Sequence, residues 1–308
     1  MSDLSYDIDS YITMIKMSSK QRILVEGRSD RLHFRNLFVH FNFRKKPQID
    51  TAQDIRGNTH QNRNCNRRKI EDIHAFCKDT TNTYFLCDRE FRSFVVDNVI
   101  TDELNDHFID NRLYWTFGHS IENYFLIEEV ISDAFLYLSV SEGKHDAIEL
   151  FSKLLPEALK LISAISLSAN ICGASSYPIG IIKWQNFIIN DDKVILSDEI
   201  RQDNDISRRF VEQLDIHLPI AKESNPVNCA NLCRGHTAII LLQRLFSKCI
   251  FETFSHVDEK RATDYANKFN NISEDQISGT LSESWSRRVK ERLANYPEPL
   301  IETLVENN

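Results

Sequence analysis

Three short acidic motifs carry the chemistry that this sequence offers. They are Val25-Glu-Gly-Arg-Ser-Asp30, Leu86-Cys-Asp-Arg-Glu90 and His119-Ser-Ile-Glu-Asn123. Each puts a carboxylate at, or just beyond, the end of an apolar run. Carboxylates gathered in one place repel one another unless cations intervene, and their oxygens suit hard divalent ions such as Mg²⁺ and Mn²⁺. Two such ions ~3.5–4 Å apart can clamp the attacking and leaving oxygens of a phosphodiester. Glu26 and Asp30 are four residues apart across a strand–helix turn, so both can face one ion. Asp88 and Glu90 straddle Arg89, so in an extended conformation both point to one side. Taken singly, each motif also has an ordinary reading. Glu-Gly is a turn, Asp-x-Glu a common surface pattern and Glu-Asn a helix start. Their order along the chain, and their placement at strand ends, is what sets the combination apart.

The elements that must position these groups are legible in the first half. Arg22 to Glu26 is a short apolar run that meets Gly27, which predicts a strand ending in a turn. Ser29 or Asp30 can cap the next helix, whose apolar positions are Leu32, Phe34, Leu37, Phe38 and Phe41. A weak second strand is expected over 46–49 and a helix over 67–77. Strands are expected over 83–87, ending at Asp88, and over 113–117, ending at Gly118-His119. Strands alternating with helices imply parallel pairing with right-handed crossovers, and functional groups then collect beyond the strands' carboxyl ends. The second half predicts helices over 127–140, 147–167, 236–254 and 272–293, with a break over 168–180. The expected division is an α/β domain over 1–140 and a mainly α-helical domain over 141–308.

Composition narrows the function classes. The chain has 308 residues, 42% hydrophobic and 27% charged, the balance of a globular protein with a substantial core. No run approaches the ~20 uninterrupted apolar residues of a membrane span. The first residues are polar and acidic, unlike a secretory signal, and seven scattered cysteines form no disulfide framework. A reduced, cytoplasmic protein is expected. The net charge of −8 argues against a general nucleic-acid coat. Residues 1–100, however, carry 17 Lys and Arg against 13 Asp and Glu, whereas residues 101–308 carry 20 against 32. Within 44–69 lie Arg44, Lys45, Lys46, Arg56, Arg63, Arg67, Arg68 and Lys69, opposed only by Asp50 and Asp54. Such an excess can bind polyanions, or can be a solvated loop and helix face.

Other chemistries are poorly served. Cys229, Cys233 and His236 offer zinc-type ligands but lack a fourth nearby, so structural thiols are expected. There is no Gly-x₄-Gly-Lys-Ser/Thr phosphate loop and no Gly-x-Ser-x-Gly elbow. Any ATP dependence would therefore come from a partner.

The motifs at 22–126, with Cys-Arg-Gly-His-Thr at 233–237, resemble the TOPRIM domain of OLD-family nucleases. More closely, they are similar to the small TOPRIM-like effectors of bacterial anti-phage systems of the PARIS (phage anti-restriction-induced) type. The resemblance implies a TOPRIM-type parallel sheet flanked by helices. It implies catalytic roles for Glu26, Asp88 and Glu90. It also implies a metal set of Glu26, Asp30, Asp88, Glu90 and Glu122 for Mg²⁺ or Mn²⁺, with two ions expected. Glu90 stands where the family pair has Asp, one methylene shorter, which bears most on the geometry of the second ion. The resemblance further implies a toxic nuclease acting on RNA, with tRNA the leading substrate. Such an effector is held by an ABC/SMC-like ATPase, and it is expected to be a homodimer when active. Beside the carboxylates, Arg44, Lys45, Lys46, Arg63, Arg67, Arg68 and Lys69 are candidates for phosphate contacts, and Tyr6, Tyr11, Phe41 and Phe43 for stacking on bases, with Phe41 and Phe43 also read as core or interface residues. His119 can orient a carboxylate, contact phosphate or simply be structural. Lys183 is a candidate for neutralising transition-state charge. The alternatives are an OLD-type DNA nuclease and a non-catalytic TOPRIM scaffold bound to the ATPase.

Overall fold

The computed structural model describes residues 6–200 and 204–307. The chain begins α1 (Ile8–Met17), β1 (Arg22–Val25), α2 (Arg28–Phe38), β2 (Gln48–Thr51), α3 (Asn66–Phe76) and β3 (Thr83–Cys87). Four short strands follow: β4 (Phe94–Val96), β5 (Ile100–Asp102), β6 (Ile109–Asp110) and β7 (Leu113–Trp115). Then come α4 (Glu128–Leu138), α5 (Lys144–Ile171), α6 (Tyr177–Ile181), β8 (Phe187–Asn190) and β9 (Lys193–Leu196). The rest is helical: α7 (Asp205–Lys222), α8 (Pro226–Leu232), α9 (Gly235–Phe254), α10 (Glu259–Asn270), α11 (Glu274–Lys290) and α12 (Glu298–Glu306).

The chain forms two compact units, and both are discontinuous. The first is Met1–Arg89, Leu104–Ile121 and Ser286–Asn308, and the second is Glu90–Glu103 and Glu122–Trp285. The single boundary expected at 140 is not where the packing divides. The strand pair β4–β5 belongs with the helices, and the carboxyl-terminal α12 belongs with the sheet. No local composition change marks either, because both memberships are made by long-range packing.

The first unit is a five-stranded mixed sheet in the order β2-β1-β3-β7-β6. β1 pairs in parallel with both β2 and β3, and β3 with β7, while β6 runs antiparallel at the far edge. The expected alternation of parallel strands and helices is thus present. Every residue of β1, β3 and β7 is buried, as strands covered on both faces require. Alternation assigns the faces. Leu24, Phe85, Cys87, Leu113 and Trp115 pack with Ile8, Tyr11 and Ile15 of α1 and Ile70 and Ile73 of α3. Tyr114 points the other way, and its hydroxyl donates to Thr303 Oγ1 of α12 at 3.1 Å. On α2 the buried side chains are Asp30, His33, Phe34, Leu37 and Phe38, whereas Leu32 is exposed. Because β1, β2, β3 and β7 are parallel, their carboxyl ends share one edge of the sheet and their amino ends the other.

The second unit is built on α5, which packs against α4, α7, α8 and α9. Phe135, Phe151, Phe246 and Phe269, one each from α4, α5, α9 and α10, form its aromatic centre, with ring centroids 4.7 to 5.7 Å apart. α5 is long and apolar enough to cross a membrane, but 72% of its apolar window is buried in the unit, which makes it a core helix. It starts before the expected 147 and carries Pro156 in its interior. It also runs past the expected break at 168. Ser166 and Ser168 donate to the carbonyls of Ile162 and Ala164, four residues back, so small polar residues continue the helix instead of ending it. The turn comes at Gly173, with φ +63°. The hairpin β8–β9 and helix α7 have no counterpart in the sequence-based expectations.

Candidate active site at the carboxyl edge of the sheet

Glu26 is the first residue beyond β1, and Asp88 the first beyond β3. The two strands are parallel neighbours with Arg22–Leu24 set beside Thr83–Phe85. At adjacent strand ends ~4.8 Å apart, a glutamate side chain spans the gap. Glu26 Oε1 accepts the backbone N–H of Asp88 at 3.0 Å. On its other side the Glu26 carbonyl accepts the N–H of Gln53, just past β2, at 3.1 Å. Glu26 thus joins the ends of three strands. Both carboxylates are half-buried. Their field reaches the buried Cys87 thiol, which is pushed well above its ordinary pKa. Burial is the main cause, then the charges of Glu26, Glu71 and Asp88, while Arg67 pulls the other way.

Asp30 is buried, and its Oδ2 accepts the backbone N–H of Gly27 at 2.7 Å. The cap of α2 is Gly27, not Ser29 or Asp30, and Asp30 acts from the third helical position as the reciprocal half of a capping box. Its carboxylate turns back to the Glu26–Gly27 turn, so it shapes the turn that presents Glu26.

Arg89 carries no signal in the sequence, yet it is one of the largest fully buried side chains. Its backbone N–H bonds Thr116 Oγ1 at 3.0 Å, and its guanidinium donates to the Phe117 carbonyl at 2.6 Å. Thr116 N–H in turn bonds the Cys87 carbonyl at 3.0 Å. The end of β3 is thereby bolted to the end of β7, and Asp88 is held between. In Asp-Arg-Glu the flanking acids are the visible chemistry, since a lone arginine reads as surface. His119, in the same unit, is buried.

Glu90 and Glu122 each open a segment of the second unit. Glu90 is exposed and has φ +54°, the left-handed region that disfavours side chains other than those of Gly, Asn and Asp. The strand ends at Cys87, so the extended geometry expected to align Asp88 with Glu90 does not extend that far. Glu122 is half-buried on the 3₁₀ turn Ile121–Phe125. Beside it, the buried Asn123 amide donates to the carbonyls of Ala230 (2.6 Å) and Cys233 (2.8 Å), terminating α8. Two motifs read separately in the sequence are therefore one hydrogen-bonded structure within the second unit. His236 pairs with Glu274 and Cys233 Sγ lies against the Leu159 carbonyl, so the zinc-type trio is engaged elsewhere.

The basic candidates divide sharply. Arg44, Lys45 and Lys46 are exposed, but they precede β2 and so lie at the amino edge, opposite the carboxylates. There Lys45 and Lys46 line a cavity of about 480 Å³ with Lys20, Gln21 and Gln48. Lys69 is buried, and its Nζ donates to the Ala52 carbonyl at 3.0 Å and Asn66 Oδ1 at 3.2 Å. It is a structural residue instead of a phosphate ligand, and burial lowers its pKa. Arg67 and Arg68, at the start of α3, flank Glu71 at 3.9 and 3.7 Å. Arg63 is exposed on a loop closed over Gly57, where a Cβ would stand 2.6 Å from the Arg63 Cα. Tyr11 is buried, with its hydroxyl on Asp50 at 2.9 Å, so it is not free to stack on a base, whereas Tyr6 is exposed. Lys183 is exposed in the second unit and its N–H caps a short turn through Asn186.

Among the described residues, no three His, Cys, Asp or Glu side chains are placed to share a metal ion. Mg²⁺ takes one or two protein carboxylates and keeps its waters, and Glu26 and Asp88, at adjacent strand ends, are carboxylates of that chemistry. Compared with known proteins, the chain matches no family model and no curated protein.

Proposed function

We propose that the chain is a metal-dependent nuclease of the TOPRIM type, acting on RNA with tRNA as the leading substrate. The observation that carries this reading is the junction at which Glu26, closing β1, receives the N–H of Asp88, closing β3. A scaffold has no need for a strand-end glutamate tied to the backbone of a second strand-end acid. The ordered motifs resemble those of AriB, the effector of the PARIS system. By that resemblance the protein is a cytoplasmic toxin held by an AriA-like ABC/SMC ATPase and released as a homodimer to halt translation.

Glu26 and Asp88 would hold Mg²⁺ or Mn²⁺, which when bound polarises a phosphate and acidifies a coordinated water or ribose hydroxyl. The chain's own residues fix the frame. Asp30 sets the turn that presents Glu26, and Arg89 fixes the segment that presents Asp88. The reading as a non-catalytic scaffold draws on one observation, that among the described residues no third carboxylate joins the pair to share an ion.

Expression in bacteria tests the proposal. The wild-type chain, freed of its partner, should arrest growth and fragment tRNA. Glu26→Ala should accumulate as folded protein without arresting growth. A folded Glu26→Ala variant that remains fully toxic would remove Glu26 from the chemistry.

A further inference from the structure

A cleft of about 670 Å³ is lined by residues of α1, β1, α2 and β2 and of the turn after β2, entirely within the first unit. Its size falls in the range of small-molecule sites, roughly 300–1,000 Å³. Its walls carry Arg28 and Arg31 from α2, Gln53 and Asp54 just past β2, and Tyr6. Asp54 takes a hydrogen bond from Arg28 Nε at 2.8 Å and another from Thr51 at 2.7 Å, with Arg31 Nη1 at 3.2 Å. Burial pushes the Asp54 carboxyl up, but these hydrogen bonds and the two arginine charges outweigh it and hold the pKa below its ordinary value. Two guanidinium forks therefore converge on one oxyanion. The Arg28 side chain is 61% exposed, and ion pairs that open to water are weak. A phosphate accepts from arginine forks in the same geometry with more charge.

The cleft also touches the turn that carries Glu26. The Arg28 N–H donates to Gln53 Oε1 at 3.2 Å, and the Gln53 N–H donates to the Glu26 carbonyl. One wall of the cleft is thus hydrogen-bonded to the residues on both sides of Gly27.

We propose that this cleft is a nucleotide subsite, holding the RNA nucleotide next to the one cut, with Arg28 and Arg31 on its phosphate and Tyr6 on its base. The inference rests on the nuclease reading for the identity of the polymer. It adds phosphate- and base-contacting residues that lie outside the run of arginines and lysines at 44–69. Asp54 then acts as an internal competitor, occupying the arginines until a phosphate displaces it.

The probe is a fluorescent single-stranded RNA hexamer, titrated in EDTA so that binding is read without cleavage. Wild-type protein should bind it. Arg28→Gln/Arg31→Gln should weaken binding and lower the slope of log Kd against log salt by about 0.7 for each phosphate no longer neutralised. Arg28→Gln alone, at an exposed position, gives the same direction if the double variant melts early. Asp54→Asn should bind more tightly, because it frees both arginines and removes a negative charge from the cleft. Glu26→Gln should bind as wild type while losing Mg²⁺-dependent cleavage. Wild-type affinity in both arginine variants, or no tightening in Asp54→Asn, overturns the subsite and leaves the nuclease reading standing. Hexamer binding that depends on the arginines, in a protein that cuts nothing, keeps the subsite and overturns the nuclease reading.

Discussion

The two edges of the five-stranded sheet carry opposite chemistry. At the carboxyl edge, Glu26 and Asp88 are half-buried and hydrogen-bonded into the ends of neighbouring strands, and a buried arginine locks the junction. At the amino edge, Lys20, Lys45 and Lys46 are exposed around an open, solvated cavity. One edge is organised for positions, the other for charge. Preorganised groups lose little on meeting a transition state, whereas flexible surface lysines supply attraction without register. The four-residue strands β1 and β2 separate the two edges by roughly 13 Å at ~3.3 Å per residue.

Breaking the carboxyl edge should have the largest effect. Asp88→Asn, which removes one of the two carboxylates assigned to the ion, is expected to abolish most Mg²⁺-dependent cleavage, with unchanged circular dichroism. Arg89→Met should act on structure first. It deletes a charge-assisted hydrogen bond to the Phe117 carbonyl, so urea melts should show a loss of about 2–3 kcal/mol, with reduced activity in the surviving fold. Lys45→Ala/Lys46→Ala at the amino edge should leave kcat intact. It should raise KM and reduce the salt slope of RNA binding by about 0.7 for each phosphate that the lysines neutralise in the wild type. If it abolishes kcat, the contrast between the edges fails.

How much of this is legible in the sequence follows from the range of the interactions involved. Arg22–Val25 and Thr83–Cys87 are continuous apolar runs ended by an acid, so strand, direction and the placement of Glu26 and Asp88 can be read locally. Residues 44–69 look like one basic patch in sequence. The parallel β2 splits them, leaving Arg44–Lys46 at one edge and carrying the chain on to Arg63–Arg68. Lys69 differs from Arg68 only by which way the helix α3 turns it. Arg89 is invisible because nothing local separates a buried arginine from an exposed one; its partners, Thr116 and Phe117, lie 27 and 28 residues away. The serines of α5 mislead for a related reason, since their hydroxyls are satisfied inside the helix.

The smallest expected effect is a pH dependence at the carboxyl edge. His107 packs against Phe117 with centroids 5.6 Å apart, and burial lowers its pKa despite the opposing influence of Asp106. A histidine favoured neutral in the fold contributes its full share above its unfolded pKa of about 6.5. As pH falls below that value the unfolded chain binds the proton first, and stability is lost until the folded pKa is passed. Melts between pH 7 and 5 should show a shallower acid slope in His107→Gln than in wild type.

The most direct test of the central claim is cleavage by purified protein. Wild type and Glu26→Ala would be incubated with total tRNA, single-stranded DNA and duplex DNA, in Mg²⁺ or Mn²⁺ and in EDTA. The Glu26–Asp88 account predicts cleavage of tRNA by wild type, abolished by chelator and absent in Glu26→Ala. Cleavage that persists in EDTA, or in a folded Glu26→Ala, would contradict it.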